Sequence, residues 1–427
     1  MHSHTQPHAT ATGIPSPAPE TAHTAHGHRS VAEHRQAVRD LLKPLLSAGH
    51  TERIPLADAL GRGLAEDITA PLSLPPFANS QMDGFAIRTE DVPDGGGELR
   101  VVAPVPAGAS PAPLQPGTAA PIMTGAMLPQ GADAVVPVER AVPASFPVPG
   151  EEAAVRVPPA AAGIYVRAAG SDIEAGERAL SAGTFLGPGQ LGLIAALGIP
   201  DVLVHRALTV LLVTTGDEVV EPGGQLEVGK IYDSNGTLLQ SSLRQAGINV
   251  IRAGISTDEP AVLRRLLGRH LTEVDLIVTT GGVSKGAYEV VRQAMDGQDV
   301  AFQHVAMQPG GPQGIGRFDG VPLLAFPGNP VSCLVSFEMF LRPVLSELFG
   351  SPAARTAVRA RLGQPLTSPP GKHQVRRGTL LPDGTVRLEG GESSHLVRAL
   401  AQSNALVHVP EGTSALAEGA EVEVWML

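Results

Sequence analysis

A chain of 427 residues is too long for one ordinary hydrophobic core, so two to four domains are expected. At 43% hydrophobic residues and a net charge of −11 it reads as a soluble globular protein, and it is too acidic for a general nucleic-acid binder, although a local basic pocket remains compatible with that charge. Cys333 is the single cysteine, which excludes a disulfide framework and a Cys-based zinc site, and no apolar run reaches the ~18 residues of a membrane span.

Residues 1–28 carry His2, His4, His8, His23, His26 and His28 among Ala, Thr and Pro. This composition reads as a disordered tail; its histidines could capture a metal, with no fixed geometry implied. The tail lacks a signal-peptide apolar core, so a cytoplasmic protein is expected. Val31 to Leu46 has helical periodicity through Val31, Val38, Leu41, Leu42 and Leu45. From Ile54 to Val157, short apolar runs punctuated by Pro and Gly predict a small β unit, with a variable loop at 141–159. Gly187-Pro188-Gly189 opens a predicted helix through Leu197.

From Ala207 to Phe349 the pattern alternates. Strands are predicted at 208–213, 248–255, 274–279, 300–305 and 321–326, and helices at 236–246, 260–271, 288–295 and 330–348. Such alternation predicts a parallel sheet covered on both faces. After Ser351-Pro352, short β runs return to the end and suggest a final small barrel.

Two glycine turns stand out within the alternating region. Thr279-Thr280-Gly281-Gly282-Val283-Ser284 follows the run Val274–Val278, and Pro327-Gly328-Asn329-Pro330-Val331-Ser332 follows Leu323–Phe326. Glycines just past a buried strand let a ligand's polar groups reach backbone N–H groups, and a helix start nearby favours anions. Two such turns in one α/β unit predict a crevice for a phosphorylated or otherwise anionic ligand. Acidic residues recur at the same strand ends: Glu218 in Thr215-Gly216-Asp217-Glu218, Asp233 in Ile231-Tyr232-Asp233-Ser234-Asn235, and Asp258 before Glu259-Pro260. Beside phosphate they are plausible Mg²⁺ ligands. Each also has a plainer reading. Asp258 suits a helix N-cap, Asp233 or Ser234 could cap the next helix, and Asp217 or Glu218 could be turn residues. Asp83-Gly84 and Thr124-Gly125 read by themselves as turns, and Cys333 as a core residue. GxSxG, HExxH and Walker A motifs are absent.

Taken together, these motifs resemble the molybdopterin molybdenumtransferase family, which includes MoeA and the gephyrin E domain. The matching segments are Pro76 to Ala86 (PFANSQMDGFA), Ile122 to Ala126 (IMTGA), Gly131 to Val136 (GADAVV), Gly170-Ser171-Asp172-Ile173 and Leu186-Gly187-Pro188, followed by the acidic and glycine-turn motifs above. The tail is outside the resemblance. The resemblance implies a linking domain I (29–54 and 158–204), a β-rich domain II (55–157), an α/β domain III (205–350) of the molybdopterin-binding type, and a β-barrel domain IV (351–427). It implies an elongated homodimer that inserts molybdate into adenylylated molybdopterin with Mg²⁺ and releases AMP. Its further partners would be the molybdopterin adenylyltransferase and molybdoenzyme acceptors, with no nucleic acid or membrane involved.

Carried over residue by residue, Asp83, Thr124, Asp172, Glu218 and Asp258 match positions linked to activity, with Glu218 and Asp258 as the Mg²⁺ pair. Gly281, Gly282, Ser284, Lys285, Gln308, Pro327, Gly328, Asn329, Pro330, Ser332 and Arg376 are the implied cofactor-binding set, and Asp83 and Thr124 would complete the partner subunit's site. One departure stands out. Many relatives carry Lys-Pro-Gly-Lys-Pro where this chain has Gln308-Pro309-Gly310-Gly311-Pro312, with His304 at a further basic position upstream. Losing two charges beside an oxyanion weakens binding by roughly a few kcal/mol unless something compensates. Lys285, Arg317 and the Lys372–Arg377 cluster are candidate replacements, and Gln308 can still donate a neutral hydrogen bond. The alternatives are a non-catalytic or specialised paralogue that binds molybdopterin or another oxyanion such as tungstate, and a scaffold protein.

Overall fold

The structure is a computed structural model that describes residues 28–47, 50–148, 151–283 and 289–427. Helix α1 spans Val31–Leu42. A capping box starts it: Ser30 Oγ accepts from Glu33 N–H at 3.2 Å, and Glu33 Oε2 accepts from Ser30 N–H at 2.8 Å. The periodicity predicts helix to Leu46, but the last turn, Lys43–Leu46, tightens to 3-10 geometry at Pro44. Proline disfavours α geometry in the residue before it and donates no hydrogen bond. Val38 and Leu42 are fully buried and join the core of the α/β unit, so the first helix packs far from its sequence neighbours.

Two β pairings follow. Thr51–Pro55 pairs antiparallel with Asp201–His205, and Ile68–Thr69 with Arg178–Leu180. With helix Pro188–Ala196 they surround a core of Leu64, Ile194, Leu197 and Val204. The predicted β unit contains a five-stranded sheet of Ala134–Pro137, Gly84–Ile87, Thr118–Ile122, Gly97–Val101 and Ala154–Val157, in that spatial order. Phe85, Ile87, Leu99 and Val155 fill one face.

The α/β unit carries a six-stranded sheet. Its strands are β1 (Thr209–Thr215), β2 (Asn249–Ser256), β3 (Leu276–Thr280), β4 (Asp299–His304), β5 (Pro312–Phe318) and β6 (Val321–Phe326). The spatial order is β2-β1-β3-β6-β5-β4. The first four strands are mutually parallel, as the alternation predicts. β5 runs antiparallel to both β6 and β4, so the sheet is mixed. Sequence reading missed β5 because it begins with Pro312 and carries Gly314 and Gly316, residues that weaken a strand signal. The glycines are sterically required: a Cβ on Gly314 would lie 2.8 Å from the Phe302 ring on β4.

Five more helices cover the sheet: α2 (Ser234–Gln245), α3 (Pro260–Gly268), α4 (Val290–Ala294), α5 (Pro330–Ser336) and α6 (Arg342–Phe349). α1, α2, α5 and α6 pack on one face through Val38, Leu239, Leu243, Val331 and Val344. α3 and α4 pack on the other through Leu263, Leu267, Val290 and Val291. The single helix predicted at 330–348 is divided by a π-helical stretch, Phe337–Leu341. Pro343, whose missing N–H removes a ladder bond, follows this stretch. Buried Glu338 lies within it and accepts from Arg355 at 3.0 and 2.7 Å.

The last unit is a closed five-stranded barrel. It consists of β7 (Ala357–Leu362), β8 (His373–Leu380), β9 (Thr385–Leu388), β10 (Ala405–Val409) and β11 (Glu421–Met426), closed by the pairing of β8 with β10. Met307–Gln308 pairs parallel with His373–Gln374 and so fastens the barrel to the α/β unit. Among the described residues, no helix is long and apolar enough to cross a membrane.

Candidate functional site

The strand ends β1, β3 and β6 point into one cleft of about 1050 Å³, whose far wall is made by the barrel. The two glycine turns meet at its floor. Gly281 N–H donates to Phe326 O at 3.1 Å, and the Cβ position of Gly328 lies only 3.4 Å from Gly281 Cα. Gly281 has φ +97°, and a Cβ there would lie 2.7 Å from the carbonyl oxygen of Thr215, so both conformation and space demand glycine. Asn235 locks the turns together. Its Nδ2 donates to Gly328 O at 2.6 Å and to Thr280 Oγ1 at 3.1 Å. Thr280 Oγ1 in turn donates to Pro327 O at 3.2 Å. Asn235 belongs to a quoted motif, but sequence reading assigned it no role.

The first turn does not lead into a strong anion-binding helix. α4 has five residues and starts at Val290, two residues later than predicted, too short to build much dipole. The second turn leads straight into α5, with Asn329 at the N-cap position and Ser332 nearly buried in the first turn.

Glu218, Asp258, Gly281, Gly282, Gln308, Pro327, Gly328, Asn329, Pro330 and Ser332 all line the cleft. Ser284 and Lys285 lie outside the described residues. Asp83, Thr124, Asp172 and Arg376 do not line it. Asp83 and Thr124 are nevertheless tightly paired on the β unit. Asp83 Oδ1 accepts from the Thr124 N–H at 2.7 Å and its hydroxyl at 2.8 Å, and these bonds hold the exposed carboxyl below its usual range. Asp172 is exposed, and its N–H donates to Leu74 O at 2.9 Å.

The carboxylates divide by role. Asp258 does not cap α3, since Glu259 occupies that position; instead its Oδ2 accepts from Asp217 N–H at 3.3 Å, while Asp217 Oδ1 accepts from Asp258 N–H at 3.0 Å. This exchange joins the loops after β1 and β2. Glu218 is exposed and folds over Gly216, where a Cβ would lie 2.7 Å from its carboxylate. Asp233 is structural. It is 2% exposed, caps α2 through Gly236 N–H at 2.8 Å, and accepts from Thr214 Oγ1 at 2.8 Å and Arg252 Nη2 at 2.7 Å. Cys333 is fully buried beneath the cleft, and burial pushes its thiol up to about 12, so it stays protonated.

The cleft is electronegative. Glu218, Asp233, Asp258, Glu289 and Glu392 line it, against Lys372 as the sole Lys or Arg among the described residues. Gln308 Oε1 accepts from buried Gln374 Nε2 at 2.8 Å, which leaves the Gln308 amide N–H groups as its donors. The barrel's contribution, Glu392-Ser393-Ser394-His395, was not singled out in the sequence. Its signal is a polar run directly after Gly390-Gly391. The two arginines of the basic segment brace this wall. Arg376 donates to Gly390 O at 3.4 Å and pairs with Glu392 at 3.9 Å, while Arg377 donates to Ser393 O at 3.2 Å and to Gly391 O.

Comparison with known proteins fits this arrangement. The MoeA N-terminal region (domains I and II) matches residues 29–198, a probable molybdopterin-binding domain matches 211–347, and the MoeA C-terminal region (domain IV) matches 359–427. Molybdopterin molybdenumtransferase 2 of Mycobacterium tuberculosis is 42% identical over 413 residues, which covers 93% of this chain and all of that protein. The molybdopterin molybdenumtransferase of a Nostoc strain is 34% identical over 421 residues, covering 93% of this chain and 94% of that one. The crystal structure of a molybdopterin biosynthesis MoeA protein from Pyrococcus horikoshii superposes with a TM-score of 0.80 at 28% identity, covering 94% of this chain and 100% of that one. On these matches, the chain belongs to the MoeA family.

Proposed function

We propose that this chain is a molybdopterin molybdenumtransferase that inserts molybdate into adenylylated molybdopterin, releases AMP and acts in molybdenum cofactor biosynthesis. The observation that carries the reading is the convergence of both glycine turns, Glu218 and Asp258 on one cleft beside the polar barrel wall. The turns offer backbone to a pyrophosphate-bearing ligand. The donor set fits Mg²⁺, which takes one or two carboxylates and completes its shell with water and substrate oxygens. Bound Mg²⁺ would neutralise charge on the bridging and leaving oxygens of the phosphoanhydride. Glu218 and Asp258 would hold it. Asp217 fixes Asp258 through the loop exchange, Asn235 keeps the turns in register, and Gln308 and Ser332 supply neutral donors to the oxyanion. The reading is tested by incubating the protein with adenylylated molybdopterin and molybdate, then reconstituting a cofactor-free molybdoenzyme. Activity of the acceptor supports it, and its absence from a folded, ligand-binding protein removes it. The adenylyltransferase that supplies the substrate and the molybdoenzymes that take the product are the partners this reading requires.

Asp83 and Thr124 lie on the β unit, outside the cleft of their own chain. In a homodimer they would complete the partner's cleft. An Asp83→Ala chain mixed with a Glu218→Ala chain, each inactive alone, is then expected to recover up to about a quarter of wild-type turnover by random assortment, with one intact site per heterodimer. Heterodimers that form and stay inactive would assign each site to one chain.

Within the Lys372–Arg377 cluster, Lys372 is the residue placed to compensate for the missing lysines, because it lines the cleft while Arg376 braces the wall. Lys372→Ala is expected to raise the half-saturating molybdate concentration about tenfold or more, the equivalent of one charge-assisted hydrogen bond. A Lys285→Ala variant run beside it covers the other candidate. Unchanged molybdate curves in both would assign the oxyanion to neutral donors. The specialised-paralogue reading draws on Gln308 and Gly311, and its mark would be binding of adenylylated molybdopterin with turnover on tungstate but not molybdate, or with none.

A further inference from the structure

Gln308 lines the cleft half-buried, and the barrel meets its side chain from behind. Met307–Gln308 pairs parallel with His373–Gln374, which places Gln308 in register with Gln374. Gln374 does not line the cleft. It is fully buried, and its Nε2 donates to Gln308 Oε1 at 2.8 Å. Its own Oε1 has no hydrogen-bond partner among the described residues. A buried amide with half of its capacity unspent costs the fold more than an apolar side chain of the same size. What Gln374 gives in return is the hold on Gln308. A second buried amide steadies the same turn from below. Gln313 Nε2 donates to Gly310 O and to Ser336 Oγ, both at 2.7 Å, and Ser336 Oγ donates to Ser332 O at 2.7 Å. The turn 308–312 is thereby tied to α5, which carries Ser332 on the cleft.

We propose that Gln374 is a positioning residue for the oxyanion: it holds the carbonyl end of Gln308 against the barrel and so presents the Gln308 N–H groups to the cleft. This inference rests on the proposed molybdate reading and adds to it a residue outside the cleft. The last torsion of a glutamine is broad, so a free amide turns either end outward at little cost. An oxyanion accepts hydrogen bonds and donates none, so the two ends are not equivalent to it: the N–H end attracts and the carbonyl end repels. With the carbonyl end taken, the cleft meets a donor only. Orientation before binding matters most where charge is scarce, and this turn has no lysine at 308 or 311.

The test is a double-mutant cycle on molybdate affinity, read by calorimetric titration of the full chain with molybdate. Gln374→Met keeps the volume and removes the donor. It should weaken binding about three- to tenfold, the scale of one neutral hydrogen bond. Gln308→Met should weaken it at least as much. The double variant should bind no worse than Gln308→Met alone, because Gln374 then has nothing to orient. In AMP release, the Gln374→Met effect should appear as a raised half-saturating molybdate concentration rather than as slower turnover at saturation. Gln374→Leu, run alongside, gives the same comparison should methionine pack badly, and thermal melting checks the fold of each variant. Unchanged affinity in a folded Gln374 variant, a double variant weakened by the product of the two single effects, or no saturable molybdate binding by the wild-type chain overturns the proposal. If the cycle couples as expected while the acceptor molybdoenzyme stays inactive, Gln374 keeps its role and the transferase reading falls.

Discussion

Glu218→Gln is expected to lower turnover in saturating Mg²⁺ by about 10²–10³-fold, the usual cost of losing one preorganised electrostatic contact to the reacting group. Glu218 sits just past β1, where the parallel strands end and the crevice opens. It is exposed, and its backbone carbonyl accepts from Ile231 N–H at 2.8 Å. Glutamine keeps the shape but replaces an anionic metal ligand with a neutral amide. The fold should not notice, so the thermal midpoint should stay within a degree or two of wild type, as for surface substitutions generally. Wild-type turnover in this variant would remove Glu218 from the mechanism and leave Asp258 as the remaining carboxylate of the pair.

Asp233→Ala should act on stability instead, by about 3–5 kcal/mol. Asp233 joins three things at once: the N-cap of α2, the Thr214 hydroxyl at the end of β1, and the Arg252 guanidinium on β2. Removing it leaves a guanidinium with a side chain only 19% exposed and, among the described residues, Glu221 at 2.9 Å as its acidic partner, which is itself half exposed. The lost cap alone costs about 1 kcal/mol, and the stranded charge the rest. Asp233→Asn, which can still cap, should fall between the two. Urea unfolding measures both. A midpoint for Asp233→Ala within error of wild type would mean that Glu221 and solvent satisfy Arg252, and would return Asp233 to the list of candidate ligand-binding carboxylates.

The sequence was informative where local chemistry and tertiary role coincide. β6 is read at its observed limits because Val321–Phe326 is a continuous apolar run between turn residues, and the apolar periodicity from Val31 places the start of α1 where it is observed. The glycine turns were legible because glycine at those positions reflects backbone needs. Misses have the converse cause. β5 is glycine-rich because the Phe302 ring and the neighbouring backbone crowd it, a tertiary constraint with no local signature. Asp258 has the sequence context of a helix cap, but the exchange with Asp217 depends on two loops far apart in the chain. The barrel's share of the cleft was hidden for the same reason, since nothing local connects Ser393, Ser394 and His395 with the strand ends, the nearest of which is Phe326 at the end of β6.

The most direct test of the account is AMP release from adenylylated molybdopterin by the purified wild-type chain, measured with and without molybdate in the presence of Mg²⁺. The account predicts little AMP without molybdate, stoichiometric release on adding it, and loss of that release when Mg²⁺ is chelated. Release that is indifferent to molybdate, or none under any condition from a protein that binds the nucleotide, would contradict it.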